Sequence, residues 1–251
     1  MILNIIVCVK RVPDTETRIR MANGDKEIDP AGVKYVMSPY DEFALEAALR
    51  MKEESGEGEV TVLTLGEDSS QEILRGGLAV GADSAVLLKG PVTMDGLATA
   101  KALAAELQNR DAPLVIFGVK AVDDDQQQVG PMVATILERP CASNVTGFEL
   151  VDDKLRCRRE VEGGTEIIEL KLPAVVSITK GDFEPRYASL KGIMAAKKKP
   201  LEQIEASISE SSLIVERLDY PPVRTPGRIV GEGVDAVPEL VRILREESNV
   251  I

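Results

Sequence analysis

The stretch LVIFGVKAVDDDQQQVGPMVATILE, residues 114–138, contains a whole strand–loop–helix unit. Its first six residues, LVIFGV, are apolar without alternation, the pattern of a strand covered on both faces. QVGPMVATILE, from 128 onward, changes to helical spacing with a proline near its start. Three aspartates and three glutamines lie between, where a buried strand hands over to a helix.

The same unit recurs upstream. ILNIIVCV (2–9), VTVLTLG (60–66) and SAVLLKG (84–90) read as buried strands. SPYDEFALEAALRMKEESG (38–56), DSSQEILRGGLAVGA (68–82) and DGLATAKALAAELQNR (95–110) read as helices. In the first of these helices Ser38 is the expected N-cap, Pro39 the first helical residue and Asp41 the partner in a capping box, with Gly56 as the stop. Strands alternating with helices at intervals of about 30 residues predict a doubly wound, mostly parallel α/β sheet with right-handed crossovers. Ligands in such sheets bind beyond the carboxyl ends of the strands, so the loops after Val9, Leu65 and Gly118 are the ones to inspect.

The pattern changes near residue 146. FELVDDKLRCRREVEGGTEIIELKLPAVVSITKG alternates apolar and charged residues around Gly163–Gly164, which predicts a β-hairpin leading into a buried strand at 174–178. EPRYASLKGIMAAKKKP (184–200) is too basic for a core strand and too apolar for an ordinary solvent loop. It reads either as an amphipathic loop or as a surface that a partner covers, with Leu190 as anchor beside Tyr187, Ile193 and Met194. The lysines would then steer an acidic partner. Beyond 201 the periodicity weakens. PPVRTPG (221–227) reads as extended chain and DAVPELVRILREE as a short terminal helix, so 201–251 is expected to be an arm on a domain spanning 1–200.

Composition narrows the function. The chain has 251 residues, a formal charge of −12, three cysteines and no histidine. The acidic balance argues against a nucleic-acid binder, although backbone amides bind phosphate without any lysine. The absence of histidine removes the commonest general base and excludes Ser-His-Asp triads. Cys8, Cys141 and Cys157 form no CxxC pair, which fits a reducing compartment and argues against a structural metal site. The apolar-then-basic N-terminus is the reverse of a signal peptide and no apolar run spans a bilayer, so the expected location is cytoplasmic. Neither GxGxxG nor a P-loop is present. The loop GVKAVDDDQQQVGP is then either a capped helix behind a solvated acidic turn or the site of a compact nucleotide, its amides facing phosphate. Glu160, close to Arg156, Arg158 and Arg159, is either part of a solvated hairpin face or a carboxylate that tunes a redox centre across an interface.

Taken together, GGTEIIELKLPAVVSITKGDFEPRYASLKGIMAAKKKP (163–200), VCVKRVPD (7–14), VKYVMSPYDEFALEAALRMKE (33–53) and GVKAVDDDQQQVG (118–130) resemble the β subunits of electron transfer flavoproteins. The resemblance implies an adenine-nucleotide-binding, Rossmann-like domain in a heterodimer whose α subunit mainly holds a redox-active FAD. It implies an electron carrier subunit without catalytic residues of its own, with AMP bound structurally. By motif, AMP contacts fall on Cys8, Ser38, Pro39, Tyr40, Asp41, Leu65, Gly118, Val122, Asp123, Asp124, Asp125, Gln126, Gln127, Gln128 and Val129. Glu160 matches a glutamate that influences flavin electron transfer. Tyr187, Leu190, Ile193 and Met194 fall in a recognition loop (about 181–200) that docks flavin dehydrogenases, such as the acyl-CoA dehydrogenases of fatty acid oxidation. A membrane quinone oxidoreductase is the implied acceptor, and the C-terminal arm packs on the α subunit. The loop TETRIR (15–20) lacks the aromatic that some members place near the flavin, so Thr15 is not carried over. Bifurcating members carry a second FAD in place of AMP and oxidise NADH; they often read DGD where this chain reads DDD, which favours AMP. A stand-alone nucleotide sensor on the same scaffold is a further reading.

Overall fold

A computed structural model describes residues 3–22, 24, 26–92, 94–224 and 226–251. The chain divides into two compact units, Met1–Glu216 and Arg217–Ile251. In chain order the first unit contains β1 (Ile5–Cys8), β2 (Arg11–Pro13), β3 (Tyr35–Met37), α1 (Pro39–Ser55), β4 (Val60–Gly66), α2 (Gln71–Val80) and β5 (Ser84–Lys89). It continues with α3 (Gly96–Leu107), β6 (Leu114–Gly118), α4 (Val129–Ile136), β7 (Cys141–Val151), β8 (Lys154–Val161) and β9 (Gly164–Lys171). β10 (Ala174–Ile178), α5 (Leu190–Ala196) and β11 (Leu201–Glu205) complete it. Of the strand expected at 2–9, Ile2 lies outside the described residues.

The main sheet has nine strands in the order β11-β5-β4-β1-β6-β10-β7-β8-β9, and β2 pairs with β3 in a separate ribbon. All pairs from β11 through β7 are parallel; β7-β8 and β8-β9 are antiparallel. Alternation along β1 shows why the sheet is wound on both sides. Ile5 and Val7 pack into one core with Leu45, Leu49, Leu74 and Leu78 of α1 and α2. Ile6 and Cys8 pack into a second core with Leu103 and Leu107 of α3 and Val133 of α4. Because both faces are covered, the central strands are apolar throughout instead of alternating.

Three local features differ from the sequence expectation. Ser38 and Gly56 bound α1 as expected, with Gly56 at φ 69, but the capping box does not form. The Ser38 hydroxyl donates to the Lys120 carbonyl, and the Asp41 carboxylate turns to the sheet. The hairpin around Gly163–Gly164 is β8–β9, and it extends to β7 through a second tight turn at Asp152–Asp153, both left-handed at φ 48 and 62. Aspartate tolerates this conformation better than most side chains, so the turn forms without a glycine to advertise it. Finally, Leu201–Glu205, where the periodicity weakens, adds a parallel edge strand beside β5. Its alternation of half-buried and exposed residues is that of an edge strand with one covered face.

The second unit contains a 3-10 turn (Val234–Ala236), α6 (Val237–Arg242) and a π turn (Ile243–Glu247). None of its described residues is buried. Within it Arg242 pairs with Glu239, Glu246 and Glu247, and Arg228 with Glu247. Among the described residues no helix is long and apolar enough to cross a membrane.

Candidate functional site: the crevice between β1 and β6

The chain runs outward from β1 through β4 to β5, then returns to the other side of β1 at β6. The loops leaving β1 and β6 therefore part, and a crevice opens at their carboxyl ends. Asp41, in the first turn of α1, closes its floor. One carboxylate oxygen accepts the Lys10 N–H at 2.7 Å and the other the Gly118 N–H at 3.1 Å. Asp41 is buried, and loss of hydration pushes its pKa up to about 7 against the pull of those two N–H groups. Gly118 has to be glycine here, since a Cβ would strike the Asp41 carboxylate and the Tyr40 backbone. Ser38 is fully buried beneath the same corner. Cys8 is buried at the end of β1, and burial raises its thiol pKa, so it is a packing residue rather than a reactive thiolate. Leu65, half-buried, ends the adjacent β4.

The acidic triplet lies above this floor, and each of its aspartates is paired. Lys10 Nζ is 2.9 Å from both Asp123 and Asp124, and Lys120 Nζ is 2.9 Å from Asp125. Burial works against the Lys10 charge, but Asp123 and Asp124 more than offset it and raise its pKa. Lys120 also lies 5.7 Å from the Tyr40 ring centroid, which ties the loop to the start of α1. Asp125 (φ 53) and Gln127 (φ 57) are both left-handed, an arrangement that side chains other than glycine adopt at a cost. The Gln126 and Gln128 side chains bond to each other, and Val129 opens α4. Beside the loop is an open depression of about 370 Å³, lined mostly by apolar atoms and bounded by Leu97, Gln127, Gln128, Pro131, Met132, Thr135 and Ile136.

The fold thus gathers Cys8, Ser38 to Asp41, Gly118 and Val122 to Val129 at one corner, with Leu65 one strand away. Lys10 and Lys120, which pair with the triplet, were not singled out from sequence. The available signal was a lysine one or two residues beyond each of two buried strands. Glu160 is not part of this corner. It is exposed on β8, three strands from β6 in the sheet order. Its neighbouring arginines pair with other acids, Arg156 with Glu149 and Glu169, Arg158 with Asp182 and Arg159 with Glu166. Glu160 itself has no ion-pair partner among the described residues.

The segment 184–200 forms a second surface. Tyr187 is 99% exposed, Leu190 83%, Met194 71% and Ile193 46%. Ser189 caps α5 by accepting the Gly192 N–H at 3.0 Å. The lysine run is not uniformly available for steering. Lys197 and Lys198 are exposed, whereas Lys199 Nζ turns inward and donates to the carbonyls of Leu78 and Ala82 at the end of α2.

Residues 26–209 match the family model described as "Electron transfer flavoprotein domain". The electron transfer flavoprotein subunit beta of Bradyrhizobium diazoefficiens is 38% identical over 251 residues, covering 99% of this chain and all of that protein. The subunit of the same name from Homo sapiens is 38% identical over 251 residues, covering 97% and 98%. That of Bacillus subtilis is 35% identical over 260 residues, covering 99% and 100%. The chain belongs to the electron transfer flavoprotein β-subunit family. The exposed segment 184–200 lies wholly within the matched region, as do the α1 and β6–α4 sides of the crevice, whereas β1 precedes it.

Proposed function

We propose that this chain is the β subunit of a heterodimeric electron transfer flavoprotein, holding AMP in the β1–β6 crevice. The observation that carries the reading is the lysine-paired acidic triplet at a topological switch point. Lys10 and Lys120 offset two of the three carboxylate charges of Asp123, Asp124 and Asp125, so the loop repels a phosphate less than the bare triplet would. The N–H groups of Gln127, Gln128, Val129 and Gly130 are then the phosphate donors, as at other helix starts. Asp41 shapes the floor, each of its oxygens accepting one backbone N–H group.

FAD, mainly held by the α subunit, supplies the one- and two-electron chemistry when bound, with Glu160 as the residue of this chain that tunes it. The exposed Tyr187, Leu190, Ile193 and Met194 dock flavin dehydrogenases such as acyl-CoA dehydrogenases, and a membrane quinone oxidoreductase receives the electrons. The C-terminal unit, which has no core of its own, packs on the α subunit. That need for cover speaks against a stand-alone sensor. The test is to co-express the chain with its α subunit, denature the purified complex and count released cofactors. One FAD and one AMP per heterodimer is the expected result. Two FAD and no AMP would replace this reading with the bifurcating one.

A further inference from the structure

The exposed face of α5 raises a mechanical problem. The helix is seven residues long, and Ala196 is its only buried residue. A helix this short has little stability of its own, and here its large apolar side chains point away from the protein. Polar tethers take the place of burial. At the entry to α5, Arg186 donates through Nε and Nη2 to Glu46 at 2.7 and 3.1 Å, and through Nη1 and Nη2 to Glu53 at 2.5 and 2.9 Å. Arg50 donates to the same Glu46 at 2.7 Å and to the carbonyls of Asp182 and Glu184 at 3.0 and 3.3 Å. Glu46, Arg50 and Glu53 are spaced i, i+4 and i+7, so they lie along one face of α1.

Glu46 is the hub. Its side chain is only 4% exposed, and burial opposes its charge, but Arg186 and Arg50 outweigh burial and hold its pKa below the usual carboxylate range. The exit from α5 is tied as well. Arg75 on α2 donates to the carbonyls of Ala196 and Lys199, while Lys199 caps α2 in return. Between these ties Gly192 lies against the Ala79 carbonyl, where a Cβ would collide.

We infer that Glu46 and Arg186 are positioning residues for partner docking: the buried carboxylate and its guanidinium clasp fix the 182–189 strap to α1 and so hold the Tyr187–Leu190–Met194 face ready for a partner. The inference rests on the reading of that face as a docking surface. Releasing the clasp leaves the face chemically intact but populates its docking-competent position only part of the time. Apparent affinity falls by that fraction, while events after docking are unchanged.

The test uses the complete heterodimer with its cofactors. Reduction of its flavin by a purified acyl-CoA dehydrogenase and its acyl-CoA is followed as the heterodimer concentration is varied. Arg186→Met and Glu46→Gln are compared with wild type and with Leu190→Ala. Both clasp variants are expected to raise the KM for the heterodimer roughly tenfold, as if about one tenth of the population remained competent, with kcat within about twofold. Cofactor content should stay unchanged, and amides of 187–199 should exchange faster while those of β1 and β6 do not. Arg186→Lys should recover part of the loss, because it restores charge without the two-sided fork. If Leu190→Ala raises KM and neither clasp variant does, the docking reading stands and the inference is overturned. If Leu190→Ala leaves KM unchanged, the docking reading itself falls. Should Glu46→Gln fail to assemble, Arg186→Met and Glu53→Gln, which change side chains more exposed than Glu46, carry the same comparison.

Discussion

Asp41 shows how one buried carboxylate can organise the corner where two strands part. It joins the backbone at the ends of β1 and β6 to the start of α1, and those three segments define the corner. Its pKa, about 7 in the folded chain against 3.8 for the free side chain, fixes the sign of a pH effect. Between those values the native state binds more protons than the unfolded chain, so stability falls as pH rises from about 4 to about 8, by on the order of 2–4 kcal/mol. Asp41→Asn removes this titration and leaves the other groups common to both proteins. In urea unfolding at pH 5, 6, 7 and 8, the stability of wild type relative to Asp41→Asn is expected to fall steadily with pH. A difference that stays flat would show that the carboxylate is ionised throughout. The sequence identified Asp41 as special but assigned it the wrong partner. A capping box is a local inference, and two unpaired strand-end N–H groups reached through tertiary structure outcompete the local donor.

At the scale of elements, visibility in the sequence followed burial. β4, β6 and β10 are predominantly apolar and carry no charged residue because both faces of the sheet are covered, and their limits agree with the reading to within a residue. α5 and β11 were not visible, and the reason is physical. α5 is stabilised by tethers from α1 and α2, more than a hundred residues away in sequence, and periodicity cannot register these. β11 is an edge strand that covers only part of one face. A similar long-range tie holds the chain after β11. Asp95 caps α3 through the Ala98 N–H at 2.7 Å and also accepts the Ser212 N–H at 2.6 Å and the Ser211 hydroxyl at 3.0 Å. The Ala98 and Ser212 N–H groups hold its pKa down to about 2, against 3.8 for the free side chain. This contribution is complete above about pH 4 and is lost as pH falls through 2. Asp95→Ala should release both ends of the tie, so amides at 97–99 and 211–213 exchange several times faster at neutral pH, whereas Asp95→Asn, still a good N-cap, should spare the helix end. Acceleration at the helix alone would mean that 211–213 is held by something else.

For the whole molecule, the imbalance between the two units decides how it behaves alone. The first has two cores, one on each face of the sheet, and none of the second's described residues is buried. Val223, Ile229, Val234, Val237, Leu240 and Val250 of the second unit are all exposed, in a chain whose net charge of −12 would otherwise favour solubility. Its arginine–glutamate pairs are on the surface, where each contributes about 0–1 kcal/mol, far too little to order a segment without apolar burial. In the proposed reading the surface that covers these side chains belongs to the α subunit. Brief proteolysis of the free chain should cut first between 217 and 251 and leave a fragment containing the entire sheet. In the heterodimer the same bonds should resist by roughly a hundredfold or more, since burial of the apolar side chains there adds about 3 kcal/mol or more to the cost of opening. Equal cutting in both states would mean that the arm finds its cover elsewhere, and the assignment of the second unit to the subunit interface would have to be withdrawn.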